Sequence, residues 1–262
     1  MFDAHCHLDF PVFDATREVV LERAMALGVE GFLVAGVEPT GWERQHALGQ
    51  RFDSLHLAYG LHPWTVAGMS QAEVSLALDS LGTALEGRDG VFPVALGETG
   101  LDRSRRVAKE SLPVQERAFR LQLSLARALD LPVVLHIVRS HGRALDIVRQ
   151  DGLPRAGGLV HAFSASAEVA HAWVRVGAHI SFSTALARRG AKRARAAASI
   201  VPLERVLIES DAPDQSPFPD SDLPNEPANL PYALRALASL RQESEAEIAE
   251  RTTLNARALF KV

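Results

Sequence analysis

Short apolar stretches alternate with longer segments of helical periodicity along almost the whole chain. The apolar stretches are rich in valine, leucine and isoleucine, which is typical of strands buried on both faces of a parallel sheet. Eight of them predict strands, at 2–7, 31–36, 55–60, 91–98, 132–136, 158–162, 179–183 and 205–210. Eight strands that alternate with helices predict an α/β fold, specifically a TIM (β/α)8 barrel.

The segments between these strands predict the helices. They lie at 14–28, 70–86, 113–129, 140–150 and 166–176, and two more, at about 231–241 and 244–259, follow a polar, proline-punctuated stretch at 212–231. The third helix has the clearest start signals, with Ser111 available as a cap and Pro113 in the first turn. No shift in composition marks a linker, so we expect a single domain over 1–262.

Composition narrows the class of protein. The chain has 262 residues, 47% hydrophobic and 23% charged, as in ordinary globular proteins with a substantial core. Its single cysteine, Cys6, cannot form an intramolecular disulfide, which suits a reducing compartment. No signal-peptide pattern and no run of about 18 apolar residues is present, so we expect a cytoplasmic protein without a membrane span. A net charge of −4 restricts any phosphate recognition to a local surface.

Ionisable residues gather where the predicted strands end, and the carboxyl ends of TIM-barrel strands carry the active site. His5 and His7 close the first stretch, and their spacing of two projects both side chains to one face of a strand. Glu98 closes the fourth stretch, in an apolar setting where an ionised carboxylate needs a partner or a cation. The remaining members of this set are His62 after the third stretch, His136 and His161 at the fifth and sixth, and Asp211 after the eighth.

Each member of the set has a structural explanation as well. An isolated His-x-His pair is equally well explained by two buried histidines that hydrogen-bond within the core. Glu98 could accept hydrogen bonds from neighbouring backbone, and Asp211 could cap the loop that continues into Pro213. Packing alone is a much weaker explanation for imidazoles and carboxylates that recur at the ends of successive strands. The set therefore predicts a site for divalent metal ions.

Catalytic roles follow from position. We expect Asp211 to take a proton from the attacking water and Glu209, two residues earlier, to orient it. Glu98 could bridge two ions. We expect His62 to contact the scissile group and Trp64 to form a wall of the pocket, although a turn histidine beside a packed tryptophan explains this pair as well. No GxSxG, GxGxxG or GxxxxGK[ST] motif is present, which favours metal-dependent hydrolysis over a serine triad or a phosphate loop.

Basic residues follow three of the predicted strands and could present a positive rim to a phosphodiester. For the last group, a solvated helix face is an equally good explanation. The residues are Arg103, Arg105 and Arg106 after the fourth strand, Arg139 after the fifth, and Arg188, Arg189, Lys192, Arg193 and Arg195 after the seventh.

An ordered set of motifs spans nearly the whole chain. It comprises "DAHCHLD", "GLHPW", "LGETGLD", "QERAFRLQLSLARALDLPVVLHIVRSH", "LVHAFSAS", "HISFS", "LIESDAPD" and "PNEPANLPYAL". With these motifs the sequence resembles the TatD family of metal-dependent deoxyribonucleases, within the amidohydrolase-like superfamily. Three positions depart from the family pattern, namely Ala165 and Thr184, where glycine is frequent, and Asp214, where an apolar residue is common.

The resemblance implies two divalent ions in a (β/α)8 barrel. It assigns His5, His7 and Asp211 to one ion and His136 and His161 to the other, with Glu98 as the bridge. The implied activity is hydrolysis of DNA by a metal-activated water, exonucleolytic on single strands, with DNA or another phosphodiester as the partner.

Alternatives for the substrate and the cofactor stay open at this point. A metal-dependent ester or amide hydrolase, such as a deacylase of mischarged aminoacyl-tRNA, would use the same ligands. A catalytically silent barrel that binds a protein would require a degraded ligand set, and no ligand is missing. Mixed imidazole and carboxylate ligands suit Zn, Mn, Ni or Co, and Mg more weakly, so the metal identity is open, as is the oligomeric state, for which a monomer is the simplest expectation.

Overall fold

A computed structural model describes all 262 residues, and it contains the eight predicted strands in one sheet, in the order β1 to β8. The fold is the TIM (β/α)8 barrel that the strand pattern predicts. Every strand pair whose register is defined runs parallel. The strands are β1 Phe2–Cys6, β2 Gly31–Ala35, β3 Leu55–Tyr59, β4 Ala95–Asp102, β5 Val133–Val138, β6 Gly158–Val160, β7 Ala178–Ser183 and β8 Val206–Glu209.

Ten helices accompany the strands, and seven of them are the predicted ones. They are α1 Arg17–Ala26, α2 Pro39–Arg51, α3 Pro63–Ala67, α4 Gln71–Leu85, α5 Leu112–Leu129, α6 His141–Asp151, α7 Ala167–Arg175, α8 Lys192–Ala198, α9 Leu230–Arg241 and α10 Glu245–Phe260. The prediction missed α2, α3 and α8. The last two have only five and seven residues, too few for a helical period to show. No helix combines the length and apolarity needed to cross a membrane.

Two local predictions were wrong. Ser111 does not cap α5, because its hydroxyl donates to the carbonyl of Ala108, 2.6 Å away. Strand β4 begins at Ala95 rather than at residue 91, after Pro93, and continues to Asp102. Its pairing with β5 persists up to Asp102 opposite Val138. Glu98 therefore lies in the middle of β4 instead of closing it.

The chain divides into two compact units. The first comprises residues 1–34, 161–175 and 179–262, and the second comprises residues 35–160 and 176–178. In the first unit β1 lies beside β8, and the rings of Phe2 and Phe260 stack with centroids 6.2 Å apart. In the second unit α5 packs on β4 with Phe119 and Leu123 fully buried.

Candidate metal sites

Two histidines and an aspartate converge in the first unit. The Nε2 atoms of His5 and His7 are 3.3 Å apart, and Asp211 Oδ1 lies 3.7 Å from the first and 3.8 Å from the second. All three residues are buried. The edge of a tetrahedron of ligands about 2.0–2.2 Å from a zinc ion is about 3.3–3.6 Å, close to these separations. The structure thus brings together the three residues that the family resemblance assigns to one ion.

Backbone hydrogen bonds fix this arrangement. The amide of Asp211 donates to the carbonyl of His5 over 2.9 Å, and the amide of His7 donates to the carbonyl of Ala212 over 2.8 Å. The segment after β8 is therefore bound to the end of β1 by two backbone hydrogen bonds, one donated by each segment. Asp211 has a φ of 55°, in the left-handed region that few residues other than glycine and asparagine adopt readily. This turn directs the carboxylate toward the two imidazoles.

His161 lies against His5 in the same unit, with stacked rings whose centroids are 4.0 Å apart. Glu209 faces it, with Oε1 3.7 Å from His161 Nδ1, and accepts hydrogen bonds from the amide of Ala162 and the hydroxyl of Ser181. Burial opposes ionisation of Glu209, but the neighbouring His161, together with His5 and the hydrogen bond from Ser181, lowers its pKa. Glu209 therefore contacts His161, whereas the sequence had suggested that it orients Asp211.

A second convergence lies in the other unit. Glu98 Oε2 lies 3.5 Å from His136 Nδ1 and 3.9 Å from His62 Nε2. Glu98 is 2% exposed, on a strand whose eight residues are all buried. A carboxylate in such a place carries a large desolvation cost unless a cation or hydrogen-bond donors compensate it. This group contains His62, which the sequence had placed near the scissile bond rather than among ligands.

Asp102 is a functional candidate that sequence analysis did not single out, although it ends the quoted "LGETGLD" motif. Its Oδ2 accepts from Trp64 Nε1 over 2.6 Å and pairs with His136 Nε2 over 3.0 Å, while Oδ1 accepts from the Ser104 amide over 2.5 Å. Burial alone would raise the pKa of Asp102, but these hydrogen bonds outweigh it and hold the pKa far below its usual range. The carboxylate fixes the proton of His136 on Nε2 and leaves Nδ1 as the ligand atom beside Glu98.

The same reasoning limits the role of His62. Its Nδ1 accepts a hydrogen bond from the Trp64 amide over 3.0 Å, at the start of α3. A neutral imidazole that accepts at Nδ1 carries its proton at Nε2. Its Nε2–H is then a donor aimed toward Glu98, and a donor cannot bind a cation. This tautomer favours the predicted contact with substrate over a ligand role.

Two glutamines of α5 support the loops that carry these groups. Gln122 accepts from the Leu61 amide over 2.8 Å and donates to the Leu61 carbonyl over 3.1 Å. Gln115 makes the same pair of bonds to Asp102, over 2.8 and 3.2 Å. Both amides are buried and stand seven residues apart, which is two turns of one helix face. Each glutamine thus forms, with backbone groups, the pair of hydrogen bonds that a neighbouring strand would form. Gln122 does so for Leu61 after β3, and Gln115 does so for Asp102 at the end of β4.

The predicted basic rim is present in part. In the second unit a cavity of about 410 Å³ is lined by Arg103, Arg105, Lys109 and Arg139, together with Asp102. All four cations are exposed.

Two of the later residues of the predicted rim are held by backbone carbonyls. Arg188 donates to the carbonyl of Ser216, and Arg195 donates to the carbonyl of Leu186. Lys192 and Arg193 line a separate cavity of about 290 Å³ in the first unit. Only part of the basic stretch after β7 is therefore turned toward a cavity.

The donor atoms in each unit fit divalent metal ions. Ligand atoms lie within 4.8 Å of one another in three groups, and all the side chains are buried or nearly so. The groups are His5, His7 and Asp211; His5, His161 and Glu209; and Glu98 and His136 together with His62. The donors are imidazole nitrogens and carboxylate oxygens, a mixture that suits zinc, manganese, nickel or cobalt. In the second unit His136 also has the carboxylate partner at its other nitrogen that metal-binding histidines commonly have.

Comparison with known proteins places the chain in a family. The model of the family described as TatD related DNase matches residues 2–261. The chain belongs to the TatD family. It is 31% identical to the metal-dependent hydrolase YabD of Bacillus subtilis, over 100% of this chain and 99% of the relative. It is 34% identical to the 3'-5' ssDNA/RNA exonuclease TatD of Salmonella typhimurium, over 100% and 99%.

A solved structure agrees with this assignment. The crystal structure of YjjV, a TatD homologue from Escherichia coli, superposes with a TM-score of 0.91 at 34% identity and covers 100% of this chain and 98% of that one. The chain is therefore a metal-dependent hydrolase of the TatD family, as the motifs predicted. The roles of the individual site residues stay predictions.

Proposed function

We propose that this TatD-family hydrolase is a phosphodiesterase that shortens single-stranded DNA from one end. The observation that carries the proposal is the joint role of Asp102, which holds His136 beside Glu98 and lines the cavity with four cations. A polyanion bound through several phosphates releases counterions, so cations grouped at one cavity favour a nucleic acid over a small neutral ester. The name of the Salmonella relative supports the same substrate class.

Each convergence would hold one divalent ion, which gives the two ions of the prediction. His5, His7 and Asp211 would bind one, and Glu98 and His136 the other. The bridging role of Glu98 and the ligand role of His161 rest on the family resemblance. Bound there, the ions would supply the positive charge that acidifies a water molecule and stabilises the oxygens around phosphorus.

The remaining steps fall to the residues of this chain. Asp211 would accept the proton that the attacking water loses, because it supplies the negatively charged oxygens of the first group and can act as a general base. His62 would donate from Nε2–H to a phosphate oxygen, as its tautomer allows. The cations of the cavity would hold the backbone of the strand so that only one bond reaches the reacting groups.

A substrate panel on one protein preparation tests the proposal. The chain is stripped with a chelator, restored with Zn, Mn, Mg, Ni or Co in turn, and offered single-stranded and duplex oligonucleotides labelled at either end, mischarged aminoacyl-tRNA and small amides. We expect mononucleotides from single strands only, with the ladder of products identifying the polarity. Release of the amino acid from tRNA without chain shortening would overturn the proposal in favour of a deacylase.

A matched pair of variants tests the site. Glu98→Gln removes a buried charge at the candidate site, whereas Glu86→Gln changes an exposed charge at the end of α4. We expect the first to reduce turnover by at least about a hundredfold, a size typical of lost metal or catalytic contacts. The second should match the parent. Full activity of a folded Glu98→Gln protein would exclude the proposed mechanism.

A further inference from the structure

We propose that Trp64 and the basic cavity form a subsite for one nucleotide, in which an unpaired base stacks on the indole and the adjoining phosphate enters the cavity. This inference rests on the proposed function and specifies how the substrate is held. It concerns residues of the second unit only, beside His62, Glu98 and His136.

Trp64 differs from the other two tryptophans of the chain. Its side chain is 42% exposed, whereas Trp42 is 5% exposed and Trp173 is fully buried. The ring is nevertheless fixed, because its Nε1–H is bound to Asp102 and its neighbour His62 packs edge-on with centroids 4.7 Å apart. An exposed aromatic ring that is already immobilised loses little conformational entropy when a ligand stacks on it. Such rings are the platforms on which single-stranded nucleic acids bind.

Charge beside the ring fits the rest of a nucleotide. The guanidinium carbon of Arg106 lies over one face of the indole, 5.5 Å from its centroid, so a base would stack on the other face or displace this side chain. Asp102 joins the ring to the cavity, because it binds the indole and lines the space with Arg103, Arg105, Lys109 and Arg139. One carboxylate facing four exposed cations leaves an excess of positive charge, which suits a phosphodiester. A base on Trp64 and its phosphate in the cavity would thus both lie next to His136, which Asp102 also holds.

Selection of single strands follows from this arrangement. A base in a duplex is stacked on both faces, and unstacking and unpairing it costs a few kcal/mol. A free end of a single strand offers its last base at little cost. The subsite therefore accounts for a preference for unpaired ends without any hydrogen bond to a base edge, and it predicts tolerance of all four bases.

Binding to the full-length protein in chelator separates stacking from phosphate recognition. The probes are a short single-stranded oligonucleotide and an abasic oligomer with the same number of phosphates. Since Trp42 and Trp173 are buried, quenching of indole fluorescence by the bound strand reports on Trp64. We expect the oligonucleotide to quench and the abasic oligomer not to. Trp64→Ala should weaken oligonucleotide binding by about 5- to 150-fold, and abasic binding by less than about twofold.

Two arginine variants test the cavity. Arg105→Ala should weaken both probes alike and reduce the salt dependence of binding by about one unit of slope. Arg155→Ala is the matched control, because Arg155 pairs with Asp130 and does not line the cavity.

Trp64→Phe keeps an aromatic ring and should retain most of the stacking. The stacking test therefore stands even where Trp64→Ala folds poorly.

The outcomes distinguish the two proposals. Equal affinity of the parent for both probes, or equal effects of Arg105→Ala and Arg155→Ala, would overturn the subsite while cleavage of single strands still supported the function. If the parent cleaves no nucleic acid with any metal and binds neither probe, both proposals are wrong. Cleavage of abasic and intact strands with the same KM would likewise exclude stacking on Trp64.

Discussion

Replacement of Asp102 by asparagine tests whether this carboxylate prepares His136 for a metal ion. In the parent, Oδ2 faces two ring N–H donors, from Trp64 at 2.6 Å and His136 at 3.0 Å, and Oδ1 faces the Ser104 amide at 2.5 Å. An asparagine must turn its NH2 group toward one of these sides. Either way a donor meets a donor, and a buried N–H group left without an acceptor costs about 1–3 kcal/mol.

The size of the expected effect follows from the role of carboxylates behind metal-binding histidines. Loss of a carboxylate partner behind a metal-binding histidine typically weakens metal binding by about 10- to 100-fold, or about 1.4–2.7 kcal/mol. We expect that loss for Asp102→Asn, measured by titrating the stripped protein with Zn or Co in competition with a chromogenic chelator. Trp64→Phe is the control, because it removes the indole donor and leaves Asp102 bound to His136. Parent-like affinity in folded Asp102→Asn would refute the role of Asp102.

Three further predictions concern stability. Burial lowers the pKa of His141 from 6.5 to about 4, so the unfolded chain binds more protons between these values and the free energy of unfolding falls as the pH drops from 7 to 4. In urea unfolding at these two pH values, His141→Asn should show a fall smaller than that of the parent, by at most about 3 kcal/mol. An identical fall in the two proteins would contradict this. A Cβ on Gly100, at φ 140°, would lie 2.2 Å from the His136 carbonyl, so Gly100→Ala should cost about 2 kcal/mol or more, whereas Gly142→Ala, which meets open space, should be close to neutral. Metal at 100 times its Kd should raise the free energy of unfolding of the parent by about 2.7 kcal/mol, which thermal unfolding can measure. His7→Asn should show a smaller increase at the same metal concentration. An increase as large as that of the parent would exclude His7 as a ligand.

Most of the repeating elements were predictable, because most of the buried strands are short apolar runs and most of the longer helices have an apolar stripe. The positions of His5, His136 and Asp211 near strand ends followed from the same pattern. The extent of β4 did not, since its later part contains Gly97 and Gly100 and lacks a continuous apolar run. Periodicity likewise says nothing about hydrogen-bond direction.

Contacts between distant segments account for the rest. That Glu209 contacts His161 instead of Asp211 depends on the left-handed turn at Asp211, which strand parity does not predict. The tautomer of His62 depends on one amide two residues away in a short turn. Asp102 escapes prediction because the predicted fourth strand ends at Glu98, which leaves Asp102 in the loop that follows instead of at a strand end.

The paired amide bonds from α5 have a consequence for how the protein tolerates change. Gln115 and Gln122 bind the backbone of Asp102, at the end of β4, and of Leu61, after β3, to the same helix, so displacements of these two segments are correlated instead of independent. A shift of that helix would move the partner of His136 and the neighbour of His62 in the same direction and preserve their spacing. An isosteric Gln122→Glu keeps an acceptor and removes the donor, so it should disturb the position of Leu61 while that of Asp102 is retained.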